Sequence, residues 1–186
     1  MWRIEGTHEI GGNWLGRDDY LNRMRGYQKS LFRFQVHQVY GIPSEQPSFQ
    51  EFLKTGVRKV DPNDPRLVSM RERTAAGRVS QRVQVVYPPI SDYLRHAFVY
   101  FHYSARAGEN LRILDTSKKS TGDLPDYDFV LLDDEVIIKL HYAAEDGSVV
   151  GRELLPEADA GEYRRYRDYA LANSIPFLEY EKLIAE

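Results

Sequence analysis

The feature that most constrains the fold is residues 124–151, LPDYDFVLLDDEVIIKLHYAAEDGSVVG, where three short apolar runs are separated by polar turns. The runs over 128–132, 135–142 and 148–154 have the length and composition of strands. Asp146-Gly147, between the last two runs, favours a β-hairpin because glycine adopts the positive φ that tight turns require. The stretch therefore predicts a three-strand antiparallel meander.

Strand and helix patterns also alternate upstream of the meander. A strand predicted over residues 79–87 is followed by a helix over 92–106 and a short apolar strand over 111–115, an order typical of a βαβ unit. Alternation over residues 31–40 predicts a half-buried strand, with Phe32 facing the core and Arg33 the other way. Further helices are predicted over residues 17–29, 49–54, 65–75, 156–172 and 177–184.

These elements predict an α/β protein of the mixed α+β kind. The expected architecture is a mixed sheet that combines the βαβ unit with the C-terminal meander, with helices packed on it. A length of 186 residues favours one domain over residues 14–186, preceded by an N-terminal arm over 1–13. The one candidate subdomain boundary lies near residues 57–65, where the prolines of DPNDP interrupt both helix and strand.

Composition narrows the classes of function. A net charge of -3 argues against direct binding of nucleic acid. The absence of cysteine excludes disulfides and thiolate zinc sites. The sequence also lacks a signal sequence and any apolar run of ~20 residues. These three absences together predict a cytoplasmic protein that does not enter a membrane. Phosphate-binding loops, dinucleotide-binding glycine motifs and a serine nucleophile elbow are also absent, so no cofactor is expected.

Arginines cluster in the middle of the chain, with a tyrosine and a histidine among them. Guanidinium groups hold oxyanions through paired hydrogen bonds, so these side chains are candidates for binding a phosphate, a nucleotide or an acidic peptide. The alternative is a set of solvated charged faces paired with Glu72 and Asp92. The candidate ligand-binding residues are Arg71, Arg73, Arg78, Arg82, Tyr93, Arg95 and His96.

An acidic cluster lies at the start of the meander and comprises Asp126, Asp128, Asp133 and Asp134. Carboxylates are ligands for Mg²⁺ or Ca²⁺, but the spacing of a calcium loop is absent. Asp133 and Asp134 are neighbours, so on a strand they would point to opposite faces. We interpret the cluster as structural, with acidic turn residues flanking buried strands, and expect no metal.

Two long phrases, VQVVYPPISDYLRHAFVYFHYSARAGENLRILD at 83–115 and LPDYDFVLLDDEVIIKLHY at 124–142, resemble an uncharacterised domain family of actinobacteria, as does RYRDYALANSIPFLEY near the end. That family is commonly found beside helix-turn-helix regulators and has no established activity. The resemblance implies this genomic context and no particular reaction, and together with the absence of a complete catalytic set it predicts a non-catalytic regulatory or interaction domain. Such a domain would act with a helix-turn-helix regulator and bind a protein partner or a small anionic ligand.

A second resemblance is to half of a phospholipase D-like fold, which carries a His-x-Lys-x4-Asp signature. Aligning the signature Asp with Asp133 places Asp126 at the His position and Asp128 at the Lys position. An aspartate cannot replace the imidazole nucleophile, so this resemblance implies a degenerate copy without the activity. The alternative function is a phosphoester hydrolase or nuclease-like effector that uses Arg82, Arg95, His96 and the acidic cluster.

Overall fold

A computed structural model gives the structure of residues 13–185. The predicted N-terminal arm, except Asn13, lies outside the described residues. The described part has an α+β fold with a mixed sheet of seven strands. In chain order the strands are β1 (Ser30–Gln35), β2 (Val79–Val86), β3 (Asn110–Asp115), β4 (Phe129–Leu132), β5 (Val136–Tyr142), β6 (Val149–Leu154) and β7 (Ile175–Pro176).

Six α-helices pack on this sheet within residues 13–185. None of these helices is long and apolar enough to cross a membrane. In chain order they are α1 (Arg17–Gly26), α2 (Gln46–Thr55), α3 (Pro65–Ala75), α4 (Asp92–Arg106), α5 (Ala160–Ala172) and α6 (Phe177–Leu183).

The strands are arranged in the order β6-β5-β4-β1-β2-β3-β7. β1, β2 and β3 are parallel, and α4 crosses between β2 and β3. β4, β5 and β6 form an antiparallel meander that joins the sheet through β1, and β7 pairs antiparallel with β3 at the other edge. The structure confirms the predicted mixed sheet, βαβ unit and meander.

Local capping explains where the helices begin. The Asp64 side chain accepts the N–H of Arg66 and Ser91 accepts that of Leu94, so α3 and α4 have the predicted bounds. α5 begins at Ala160 instead of 156 because the Asp159 side chain accepts the N–H of Gly161 and caps the helix there.

Long-range hydrogen bonds end two elements earlier than predicted. The backbone N–H groups of Gln28 and Lys29 donate to the Asp133 carboxylate, and α1 ends before them at Gly26. The N–H of Val36 donates to Asp128, and β1 ends at Gln35 instead of continuing to 40. β7 was not predicted, because Pro176 reads as a breaker, yet proline is tolerated on an edge strand.

The sheet is covered on both faces. α5 packs on one face, through Tyr163 and Ala170 against Phe34, Val85 and other strand residues. α4 and α6 pack on the opposite face, and α1 and α3 flank them. β1 alternates as predicted for a half-buried strand: Phe32 and Phe34 are buried, whereas Arg33 and Gln35 are partly exposed on the side that faces α1, α3 and α4.

Candidate functional site

A cavity of about 650 Å³ lies between the sheet and the helices α1, α3 and α4. This volume is in the range of small-molecule binding sites. Glu45 is the one acidic side chain among the cavity-lining residues of the described chain. The lining arginines number six: Arg25, Arg33, Arg58, Arg66, Arg73 and Arg82.

The floor of the cavity comes from the two central parallel strands. Arg33 and Gln35 of β1 lie in register with Arg82 and Gln84 of β2. Residues in register on neighbouring strands share a face of the sheet, so the two arginines lie side by side and the two glutamines lie beside them. All four line the cavity.

Both floor arginines bind the same carboxylate. Glu109 Oε1 accepts a hydrogen bond from Arg33 Nη2 at 2.6 Å and another from Arg82 Nε at 3.1 Å. Burial alone would raise the pKa of Glu109, but Arg82 and Arg33 lower it to about 2, so the carboxylate is charged at neutral pH. Burial lowers the pKa of Arg82, but arginine remains protonated at neutral pH. Two positive charges and one negative charge leave the floor with a net positive charge.

Several buried polar atoms around the cavity have no hydrogen-bond partner within residues 13–185. They are Arg33 Nε, Arg73 Nε, Gln35 Oε1, Gln84 Oε1, Glu109 Oε2 and the Tyr27 hydroxyl. The Gln84 amide is oriented by its Nε2 atom, which donates to the main-chain carbonyls of His37 at 3.0 Å and Val85 at 2.9 Å. Leaving such a buried group unpaired costs about 1–3 kcal/mol, and native proteins usually pair them with protein, water or ligand.

Tyrosine rings form much of the cavity wall. Tyr40 and Tyr142 donate their hydroxyls to Asp128 at 2.8 and 2.9 Å, and Tyr93 donates to Glu45 at 2.8 Å. Burial raises the pKa of all three hydroxyls, so they stay protonated. With these hydroxyls engaged, the rings present apolar surface to the cavity. The tyrosines in the lining are Tyr20, Tyr27, Tyr40, Tyr93, Tyr100 and Tyr142.

Three of the residues predicted from sequence, Arg73, Arg82 and Tyr93, line this cavity together. Arg71 is exposed and donates to the Pro62 carbonyl at 2.8 Å. The guanidinium of Arg78 lies 6.0 Å from the centre of the Tyr27 ring.

The remaining two predicted residues lie on α4 outside the cavity. Arg95 is exposed and lines a separate groove beside α6. His96 is fully buried, with one ring nitrogen 3.0 Å from Ser48 Oγ. Burial and the nearby Arg58 lower the pKa of His96 to about 4, so the ring is neutral at pH 7.

The members of the acidic cluster do not form a single site. Asp128 is buried and accepts hydrogen bonds from Tyr40, Tyr142 and the N–H of Val36, and burial raises its pKa. Asp133 and Asp134 occupy the β4–β5 turn with φ of 51° and 64°. Asp126 is exposed.

Within the described chain, no group of three His, Asp or Glu residues is placed to hold a metal ion. The side chains of the alternative hydrolase also have separate partners. Arg82 binds Glu109, His96 contacts Ser48 and Arg58, and Asp133 accepts the N–H groups of residues 28–30.

Sequence reasoning missed Arg33, Gln35, Gln84 and Glu109. A signal for three of them was present: both central strands carry the pattern Arg-x-Gln, at 33–35 and 82–84. When two neighbouring parallel strands carry the same polar pair on one face, the pattern indicates that this face forms the polar floor of a cavity. Glu109 had no such signal, because it follows a helix and its burial depends on tertiary packing.

Fold and site together define an α+β domain that encloses an arginine-rich cavity of ligand size. The chain belongs to the DUF6879 family, described as a domain of unknown function, whose model matches residues 18–182. The matched range includes every residue that lines the cavity. Curated proteins gave no match to the chain.

Proposed function

We propose that this chain is a non-catalytic regulatory domain that binds a small anionic ligand in the cavity above β1 and β2. The observation that carries the proposal is the floor of the cavity. Arg33 and Arg82 share a single carboxylate, so two positive charges face one negative charge there.

The arrangement of the arginines supports an anion as the occupant. Arg58 lies 3.5 Å from Glu45 and Arg66 lies 2.9 Å from Asp64, so these two are already paired. The hydrogen bond from Arg82 to Glu109 uses only the Nε atom of the arginine. The two terminal nitrogens of Arg82 are left for another acceptor. A phosphate or carboxylate would complete the hydrogen bonds of Arg33 and Arg82 in a site where the low dielectric strengthens them.

The titratable groups of the cavity favour binding over turnover. Glu45 is held by Tyr93 and Arg58, and the buried tyrosines have raised pKa values. General acid–base catalysis works best with a group whose pKa lies near the operating pH. The ligand should therefore be released unchanged.

The regulatory part of the proposal concerns a partner. The resemblance noted in the sequence suggests a helix-turn-helix regulator encoded nearby, and ligand binding in the cavity would control that regulator. Co-expression of this chain with such a regulator, followed by size-exclusion chromatography with and without pyrophosphate, tests the association. Separate elution under both conditions would contradict this part.

Thermal-shift measurements with inorganic phosphate, pyrophosphate and AMP test anion binding. We expect at least one anion to raise the melting temperature of the wild-type chain, and Arg82→Gln to weaken that anion's binding about ten- to a hundredfold, the loss of a charge-assisted hydrogen bond. Arg33→Gln should act in the same way, and its side chain is more exposed than that of Arg82, 26% against 11%, so it disturbs packing less.

Arg71→Gln is the matched control, because Arg71 is exposed and lies outside the cavity. It should bind like the wild type. The proposal fails if no anion stabilises the wild-type chain, or if Arg71→Gln loses as much affinity as Arg82→Gln. Recovery of the added AMP intact after incubation checks that the domain does not hydrolyse it.

A further inference from the structure

We propose that the ligand of the cavity is a phosphate monoester with an apolar tail. This inference deepens the proposed function and rests on it, since it describes the occupant of the same cavity. The observation that carries it is the division of the accessible lining into a positively charged end and an apolar side.

The positive charge lies toward the end of the cavity where the parallel strands begin. Glu109, which immediately precedes β3, binds Arg33 and Arg82 and so draws both guanidinium groups toward that end. The two side chains line the cavity and keep 26% and 11% of their surface exposed. A ligand in the cavity can therefore contact them.

Two further lining arginines lie at the same end. Arg25 is the second-to-last residue of α1, and the guanidinium of Arg73 lies 5.9 Å from the centre of the ring of Tyr27, three positions before β1. Both arginines have accessible surface, and neither forms a salt bridge within residues 13–185. A phosphate monoester, with three acceptor oxygens and a charge of about -2, suits such a group of arginines better than a carboxylate does.

The side of the cavity formed by α1 and the β5–β6 hairpin is apolar. Its partly exposed lining residues, which we call the apolar side, are Leu21, Met24, Leu140, Tyr142 and Val149. Covering apolar surface of this kind with an apolar group releases water and is favourable. A bare phosphate would leave the apolar side hydrated.

The charged end and the apolar side adjoin, so one molecule can contact both. Arg25 follows Leu21 by four positions, which places the two side chains on the same face of α1, one turn apart. β4 separates β5 from β1, so the strand that carries Leu140 lies about 10 Å from the strand that carries Arg33. A phosphate at the floor arginines therefore reaches this surface only through a tail of several atoms, for which a cavity of about 650 Å³ has room.

Isothermal titration calorimetry of the full chain with glycerol 3-phosphate, butyl phosphate, hexyl phosphate and heptanoate tests this inference. Butyl phosphate should bind at least tenfold more tightly than glycerol 3-phosphate, whose hydroxyl groups resist burial. Hexyl phosphate should gain about tenfold more, at roughly threefold for each buried methylene. Heptanoate, which joins the same six-carbon tail to a carboxylate, should bind at least tenfold more weakly than hexyl phosphate.

Leu21→Gln places a polar group on the apolar side and keeps a residue that favours a helix. It should weaken hexyl phosphate binding about three- to tenfold and leave the affinity for glycerol 3-phosphate unchanged, which also shows that the variant is folded. Leu53→Gln is the matched control, because Leu53 is an exposed leucine of α2 outside the cavity. It should bind all four probes like the wild type.

Three results would overturn the inference while the proposed function stands. Glycerol 3-phosphate or heptanoate could bind as tightly as hexyl phosphate, Leu21→Gln could leave the preference for hexyl phosphate over glycerol 3-phosphate intact, or Leu53→Gln could reduce that preference as much as Leu21→Gln does. If none of the four probes binds, the proposed function fails with the inference.

Discussion

Glu109 is the residue on which the candidate site depends. Its side chain has no exposed surface and receives hydrogen bonds from both floor arginines. Removing one partner of a buried charged network is strongly destabilising, because the remaining charges stay desolvated. Glu109 therefore holds Arg33 and Arg82 in place for an anion, although it would repel that anion if it stood alone.

The first prediction at this scale concerns the pH dependence of stability. The pKa of Glu109 is about 2 in the folded chain and 4.5 is its ordinary value, so the carboxylate stabilises the fold above pH 4.5 and this contribution is lost as the pH falls toward 2. This difference in pKa corresponds to about 3 kcal/mol of folding stability. Urea unfolding of the wild type and Glu109→Gln should show a stability gap of that order at pH 7 that narrows markedly at pH 3. An equal gap at both pH values would count against the role of Glu109.

His96 gives a second prediction, which concerns a side chain that is neutral in the folded chain, whereas Glu109 is charged. Its pKa of about 4 lies below the ordinary 6.5, so the unfolded chain takes up a proton first as the pH falls. Stability should be complete above pH 6.5 and decline between pH 6.5 and 4. His96→Asn should flatten this decline in thermal unfolding curves. A wild-type melting temperature that stays constant between pH 6.5 and 5 would contradict the buried, neutral ring.

At the scale of elements, the β4–β5 turn connects distant parts of the fold. The Asp133 carboxylate accepts the N–H groups of Gln28, Lys29 and Ser30, which lie between α1 and β1. Asp133 and Asp134 also adopt positive φ, a conformation that aspartate tolerates better than most residues. The turn therefore positions the start of β1, the strand that carries Arg33.

Substitution of Asp133 tests this role. Asp133→Gly keeps the backbone conformation but removes the acceptor, and should lower the free energy of unfolding by about 1–3 kcal/mol. Chemical denaturation measures the change. Asp126→Gly, at an exposed position of the same acidic cluster, is the control and should have less effect. Equal losses in the two variants would show that the Asp133 hydrogen bonds do not stabilise the fold.

Local signals in the sequence were sufficient for most elements of the fold. The cap at Asp64, the cap at Ser91 and the Asp146-Gly147 turn each act within a few residues, and α3, α4 and the β5–β6 hairpin were predicted from them. The ends of α1 and β1 depend on Asp133 and Asp128, which are about a hundred positions away in sequence. Such contacts leave no local pattern.

At the scale of the whole molecule, the candidate site could be predicted only in part. Arg82 and Arg73 were among the predicted residues, but Arg95 and His96 follow them closely in sequence and lie outside the cavity. Residues of α1, α3, α4 and both central strands line the cavity. Which residues line it therefore depends on which face of the sheet these helices cover. The chain has a net charge of -3, and yet the fold concentrates arginines around a single cavity, where the local potential and not the total charge acts on a ligand.

The most direct test of anion binding is the response of the arginine side chains themselves. ¹H–¹⁵N NMR of the side-chain Nε–H groups, recorded during titration with pyrophosphate, reports each arginine separately. The signals of Arg33 and Arg82 should shift and saturate together, while those of the exposed Arg71 and Arg95 stay in place. Signals of Arg33 and Arg82 that remain unchanged, or shifts spread evenly over the exposed arginines, would contradict an anion site in the cavity.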